Sequence, residues 1–321
     1  MSDQATTTTT TGIGTGTGAA GRRTPGIPFL KGHGTENDFV IIPDPDGALE
    51  LDAALVARIC DRRAGIGADG VLRVVRSAAH PEAAELADSA EWFMDYRNSD
   101  GSIAEMCGNG VRVFARYLVD AGLAGSGDLA VATRAGLRRL HIAKDAPDGT
   151  PGEVTVDMGK PAFPQPQEGV LATPRGGAEP VAWPAVNVNM GNPHAVVFVQ
   201  DLAEAGHLYE APEVTPAGAY PEGVNVEFVA DLGPRAVAMR VHERGSGETR
   251  SCGTGACAVM VAAARRDGRD PLVTGERVTY TVDLPGGRLV ISQLPDGTVE
   301  MTGPAVIVGE GVLYPGQLLG R

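Results

Sequence analysis

The chain is short of cysteine, of basic charge and of long apolar runs, and each shortage removes a class of protein. It has four cysteines in 321 residues. None are spaced as CxxC, so they suggest neither a disulfide framework nor a zinc site. A reducing cytoplasm fits that usage. Lys and Arg total 27 against 40 Asp and Glu, a formal net charge of −13. A nucleic-acid surface needs clustered cations, so no nucleic-acid partner is expected. A small anionic substrate stays open, because it needs only local donors. No apolar run approaches the roughly 20 residues that span a bilayer, and no membrane partner is expected. No charged stretch followed by an apolar one opens the chain, so no secretory signal is expected. The glycine-rich stretches at Gly65 to Gly70, Gly108 to Gly110 and Gly245 to Gly247 lack the spacing and the lysine of a phosphate loop. The first reads as a turn before a strand.

What remains is an ordinary globular composition, 43% hydrophobic and 21% charged, with a length that fits two domains. Residues 1–26 are Thr- and Gly-rich and carry almost no large apolar side chains. They cannot bury enough surface to offset ordering entropy, and they read as a disordered leader.

The rest reads as a duplication. Asn37-Asp38-Phe39 leads into Val40-Ile41-Ile42, and Asn192-Pro193-His194 leads into Val196 to Val199. Each half then reaches a cysteine motif, Cys107-Gly108-Asn109-Gly110 or Cys252-Gly253-Thr254-Gly255, which opens a helical pattern. Hairpin-like stretches follow at Leu129 to Ile142 and at Val278 to Ile291. Each half closes on a near-identical strand, Thr155-Val156-Asp157-Met158 and Thr298-Val299-Glu300-Met301. The cysteines lie 145 positions apart and these strands 143. Matching offsets at separate landmarks predict an α+β fold of two pseudo-symmetric domains with the active site between them.

Val111, Phe114, Ala115, Leu118 and Val119 form one apolar stripe at helical spacing. The second cysteine helix, near Gly255 to Arg266, is small and apolar nearly all round, the pattern of a helix buried within a sheet. A further helix is expected over Asp52 to Cys60, ending near Gly65.

A cysteine at a helix start sits where the positive end of the dipole favours thiolate. The glycines after it let backbone N–H groups approach an anion. Two such sites suggest a pair of acid/base thiols facing one small anion. Cys60 and Cys257 read as buried small hydrophobes. The polar residues around the motifs have plainer readings too. Asn98 suits a turn or cap, and Asn37, Asn192 and Asn225 suit strand edges. Glu243-Arg244 suits a surface ion pair. His194 and His33 suit structural positions.

The stretches His33-Gly34-Thr35-Glu36-Asn37-Asp38-Phe39, Met106 to Gly110, Met190 to His194, and Glu243-Arg244-Gly245 through Cys252-Gly253-Thr254-Gly255 resemble the motifs of the diaminopimelate epimerase family. They stand in family order from about Phe29 to the C-terminus. The resemblance implies an isomerase that uses no metal and no cofactor, pyridoxal phosphate included. It implies inversion of LL-2,6-diaminopimelate to the meso form, a step of lysine and cell-wall precursor biosynthesis. It further implies a homodimer, and two domains, each a mixed sheet wrapped around a central helix. Residues 27–150 with a returning 305–321 would form the first domain and 151–304 the second, closing around substrate.

The roles follow by resemblance as well. Cys107 and Cys252 are the base and the acid, with His194 and Glu243 beside them. Gly108, Asn109, Gly253 and Thr254 bind the α-carboxylate. Arg244 takes the distal carboxylate, with Asn98, Asn192 and Asn225 around it. Asn37 lies near the reacting centre. Many members carry Gln where this chain has Gly70, so any polar contact from that position is lost. Two rivals stand beside this reading. A proline or hydroxyproline racemase typically shows His at the place of Asn109. A thiol redox protein would cycle a Cys107–Cys252 disulfide. Phenazine-biosynthesis relatives share the fold without the cysteine pair.

Overall fold

A computed structural model of the protein describes residues 26–165, 169–175 and 181–320. The Thr/Gly-rich leader lies outside the described residues, apart from Gly26. The first half runs β1 (Ile27–Gly34), β2 (Asn37–Pro43), α1 (Ala53–Cys60), β3 (Gly70–Arg76), β4 (Trp92–Asn98), α2 (Gly108–Asp120), β5 (Gly127–Thr133), β6 (Gly136–Ile142) and β7 (Val154–Asp157). The second runs β8 (Leu171–Thr173), β9 (Trp183–Asn189), β10 (Pro193–Phe198), β11 (Glu213–Thr215), β12 (Asn225–Gly233), β13 (Ala236–Glu243), β14 (Gly247–Thr249), α3 (Gly253–Arg266), β15 (Val278–Leu284), β16 (Gly287–Gln293) and β17 (Val299–Gly303). A last strand, β18 (Val306–Leu313), returns to pair antiparallel with β1.

The two halves repeat one topology. β1–β2, β3–β4, β5–β6 and β6–β7 are antiparallel, while β2–β3 and β4–β5 are parallel. In the second half β9–β10, β12–β13, β15–β16 and β16–β17 are antiparallel, while β10–β12 and β13–β15 are parallel. The halves join where β7 pairs antiparallel with β17, Asp157 opposite Glu300. Those two residues are also each other's counterparts in the repeat. A residue that pairs with its own counterpart marks a two-fold axis, which therefore passes through this seam. Fold and duplication agree with the sequence reading: α+β, mixed sheets, two pseudo-symmetric parts.

Each half wraps its sheet around one helix. α2 packs on β1, β2, β3, β4, β6, β7 and β18, and α3 on β9, β10, β12, β13, β15, β16 and β17. The wrapping corrects the one-sided stripe expected for the first cysteine helix. Residues Gly108 to Leu118 are all buried, including Arg112, which is 0% exposed. Periodicity marked the apolar face, but a sheet closing around the helix buries the polar face too. Burial of a cation requires partners. Arg112 donates to Asn109 Oδ1 (2.9 Å), Thr35 Oγ1 (3.3 Å) and the Pro304 carbonyl (3.3 Å). Arg116 pairs with Asp120 and Asp145.

α3 is buried from Gly255 to Ala264, as its all-round apolar character implied. It begins at Gly253, two residues earlier than the pattern suggested. α1 opens on Asp52, whose carboxylate accepts the Leu55 N–H at 2.7 Å, and it buries Leu55, Val56, Ile59 and Cys60. Such a cap is worth about 1 kcal/mol. Among the described residues, no helix is long and apolar enough to cross a membrane.

Candidate active site

Both cysteines cap their helices. Cys107 and Cys252 have extended backbone at the N-cap. Each sulfur accepts the N–H three residues on, Gly110 at 3.4 Å and Gly255 at 3.3 Å. The N–H donors of Gly108, Asn109, Gly253 and Thr254 are left at the two helix ends, where the first turn has no internal acceptors.

Side chains tie these ends together across the axis. Asn109 Nδ2 donates to Ser251 Oγ (3.1 Å), the Ser251 carbonyl (3.3 Å) and Asn37 Oδ1 (3.2 Å). Thr35 Oγ1 and Ser251 Oγ lie 2.5 Å apart in a buried contact. The Cys107 thiol donates to Asn37 Oδ1 at 3.6 Å. Asn37 cannot turn freely, because its Nδ2 donates to Asp69 Oδ2 at 2.8 Å. Asp69 thereby keeps the amide oxygen aimed at the thiol.

The surroundings of Cys252 are ionic. Its sulfur lies 3.5 Å from Thr254 Oγ1. Glu243 accepts from the Thr249 hydroxyl and lies close enough to the Cys252 thiol for each to affect the other's ionisation. His194 is fully buried, with Nδ1 2.6 Å from Glu227 Oε1 and Nε2 3.0 Å from Asn192 Oδ1. Glu227 is fully buried too.

Burial decides the acidity of this cluster. It pushes the Glu243 carboxyl above the ordinary range, and the Thr249 hydroxyl and the Cys252 thiol only partly offset it. Burial, with a smaller push from the Glu243 charge, raises the Cys107 thiol to about 11, while the Gly110 and Asn109 N–H groups and the Arg112 charge pull it down. The Cys252 thiol is pushed well above its usual value by burial, then by the charges of Glu243 and Glu227. The thiolate-favouring helix start expected from sequence is therefore present but outweighed. A thiolate formed here would be a strong base. Cys60 and Cys257 are both buried, with burial holding each thiol up at about 12.

The remaining predicted residues bond to the surrounding scaffold. Asn225 donates to the Pro193 carbonyl (3.1 Å) and accepts the Arg244 N–H (2.9 Å), locking β10 to β13. The Arg244 guanidinium donates to the Glu222 carbonyl at 2.8 Å. Glu243 and Arg244 are thus not the surface ion pair their adjacency suggested. Asn98 donates to Ser102 Oγ at 3.0 Å across its own turn. His33 Nδ1 accepts the Glu36 N–H at 3.3 Å in the β1–β2 turn.

Gly70 makes no side-chain contact, and its surroundings are tight. A Cβ on Gly70 would lie 2.6 Å from the Arg97 carbonyl oxygen and 2.7 Å from the Tyr96 ring. A side chain here would require the Tyr96 ring and the neighbouring strand to shift. The phenol ionises less readily through burial, and the charges of Cys107 and Glu243 reach it.

Thr35, Asp69, Arg112, Glu227 and Ser251 were not singled out by the sequence reading. Glu227 alone left a signal, a carboxylate within the apolar run Val226 to Ala230. Among the described residues, no group of three or more His, Cys, Asp or Glu is placed to hold a metal ion.

The diaminopimelate epimerase family profile matches residues 29–164 and 186–308. A protein of Streptomyces coelicolor named diaminopimelate epimerase is 68% identical over 89% of this chain and 94% of its own length. Among solved structures, a phenazine biosynthesis protein of Bacillus anthracis superposes with a TM-score of 0.63 at 16% identity, over 90% of this chain and 99% of the other. A hydroxyproline epimerase of Agrobacterium vitis gives 0.61 at 16% identity, over 92% of each chain. At such identities the structures share the fold.

Proposed function

The chain belongs to the diaminopimelate epimerase family, and on that premise we propose that it inverts one α-carbon of LL-2,6-diaminopimelate to give the meso isomer. The observation that carries the chemistry is the pair of cysteine-capped helix starts, bridged by Asn109 and Ser251.

The α-hydrogen is weakly acidic, so charge developing on the carboxylate must be stabilised by fixed donors. The N–H groups of Gly108, Asn109, Gly253 and Thr254 are those donors. They bind the transition state more strongly than the ground state, and each such donor is worth about 10²–10³ in rate. One cysteine, as thiolate, takes the α-hydrogen as a proton from one face. The other, as thiol, gives its proton to the opposite face. The product leaves with the protonation states exchanged, which is the starting state for the reverse reaction. His194 and Glu243 set those states, and Asn37 orients the group beside Cys107.

Arg244 binds the distal carboxylate in a bidentate fork, with Asn98, Asn192 and Asn225 completing that end. The two domains close on substrate about the β7–β17 seam, and the division between them falls after β7, which pairs with β6 and packs on α2, rather than at residue 150. Closure excludes water and strengthens every charge interaction inside. The protein works in the cytoplasm as a homodimer, a reading taken from the family. The outer edge of β18, with Val308 and Val312 exposed, is a surface such pairing could use.

Chiral chromatography of reaction mixtures tests the substrate. LL-diaminopimelate should be converted to the meso form, while proline, hydroxyproline and glutamate stay unchanged. Turnover of a monocarboxylic amino acid instead would move the protein to the proline racemase group.

A further inference from the structure

The duplication assigns each residue around one thiol a counterpart around the other, and the two sets differ in charge. Gly110 and Gly255 hold the same place in the two first turns, each donating to its cysteine sulfur. A Cβ on Gly110 would meet Leu72 at 3.3 Å and Phe39 at 3.5 Å. A Cβ on Gly255 would meet Glu227 Oε1 at 2.8 Å and Cys252 Sγ at 3.2 Å. The parallel ladders give the same equivalence. Phe39 faces Gly70 in β2–β3, and His194 faces Asn225 in β10–β12. Two residues on, Leu72 and Glu227 match. An apolar pair, Phe39 and Leu72, therefore lies beneath Cys107, and a buried pair of titratable side chains, His194 and Glu227, beneath Cys252.

A second difference acts in the same direction. Arg112 lies five positions after Cys107 and is fully buried, and its counterpart five positions after Cys252 is the neutral Cys257. Glu243 acts on both thiols, but a cation stands below Cys107 alone and the second carboxylate, Glu227, acts on Cys252 alone. The two Cβ distances place Glu227 Oε1 within about 6 Å of Cys252 Sγ, close enough for a buried charge to govern a neighbour's ionisation. Glu227 Oε2 is buried with no hydrogen-bond partner.

We propose that Glu227 is a positioning residue that makes the two thiols unequal: its carboxylate beneath the start of α3 holds the proton on Cys252 and leaves Cys107 as the cysteine that ionises in the free protein. The inference rests on reading the thiols as an acid/base pair. The groups facing Cys252 are Glu243 from β13, Glu227 from β12 and the Thr254 hydroxyl with the Gly255 N–H from α3, and His194 from β10 stands behind Glu227. Tyr220 is close enough to feel the Glu227 charge. Facing Cys107 are the Gly110 and Asn109 N–H groups and Arg112 from α2, the Asn37 amide oxygen from β2, Tyr96 from β4, and Glu243 from β13, whose charge acts on both thiols.

The test is iodoacetamide labelling against pH, read at each cysteine by mass spectrometry, with no substrate present. Midpoints are compared, since rates also reflect access. In the wild-type protein the Cys107 midpoint should lie below that of Cys252. Glu227→Gln should lower the Cys252 midpoint by about one pH unit or more and leave Cys107 in place. The double variant His194→Phe, Glu227→Leu copies the pair beneath Cys107 and should also narrow the gap. Circular dichroism establishes that each variant is folded, and if neither folds, the wild-type order decides. A Cys252 midpoint below that of Cys107, an unmoved Cys252 in Glu227→Gln, or equal movement of both thiols would overturn the proposal. Because labelling needs no turnover, its outcome is separate from that of the substrate assay.

Discussion

Single side chains set the chemistry. The proposed roles make Cys107→Ser and Cys252→Ser the sharpest substitutions. A serine hydroxyl ionises far less readily than a thiol, so each should lose about 10²–10⁴ in kcat/KM, the usual contribution of a general acid or base. Steady-state kinetics on LL- and meso-diaminopimelate would measure this, with unchanged melting temperatures confirming that only chemistry was lost. A variant retaining near wild-type turnover would remove that cysteine from the mechanism.

Asp38 carries a stability prediction. Its hydrogen bonds and charge contacts with Lys31 and Arg62 outweigh burial and hold its carboxyl at about 2, below the ordinary 3.8. A depressed acid stabilises the fold above its unfolded value and loses that contribution as pH falls through its folded value. With partial exposure discounted, Asp38→Asn should cost about 1–2 kcal/mol near neutral pH and almost nothing below about pH 2. Urea titrations at several pH values would show the gap closing. A gap that persists in acid would place the cost elsewhere. At this scale the sequence disclosed the capping cysteines, because a thiol before Gly-X-Gly at a helix start is a local pattern. It did not disclose Asp69 behind Asn37, or Thr35 opposite Ser251, since those partnerships exist only after distant strands meet.

At the scale of elements, the helices were legible in extent and less so in surroundings. The stripe from Val111 to Val119 located α2 correctly. Yet Arg112, off that stripe, is as buried as Phe114, because the sheet encloses the helix on every side. Periodicity reports which face is apolar, not whether the other face is covered. The β3–β4 pairing shows the same limit. Gly70 read as a lost contact, but the sequence did not disclose how closely the Tyr96 ring and the Arg97 carbonyl press on that position. Gly70→Ala should therefore destabilise by about 1–3 kcal/mol, the cost of overpacking a tight site. Denaturant unfolding checks it, and a neutral result would mean that β3 and β4 can separate at no cost.

The whole molecule depends on its last strand. β18 pairs along β1 and packs on α2, although about 270 residues separate it from β1 in sequence. Loss of that strand opens an edge on the first half and uncovers part of α2. A chain ending at Gly303 should therefore be insoluble or melt well below the full protein, by gel filtration and thermal unfolding. A soluble truncation with unchanged melting would show that β18 is dispensable. The duplication itself was legible, since two landmarks repeated at nearly one offset. The seam was not, because the pairing of Asp157 with Glu300 requires the two-fold axis that only the folded chain possesses.

The central claim is that two thiols act from opposite faces of one carbon. Proton NMR of LL-diaminopimelate in D2O, with the reduced protein at low conversion, tests it most directly. The account predicts meso product carrying solvent deuterium at the inverted carbon, while the remaining LL substrate keeps its α-proton. Deuterium entering the LL pool as fast as product forms, or no exchange with the thiols confirmed free, would contradict it.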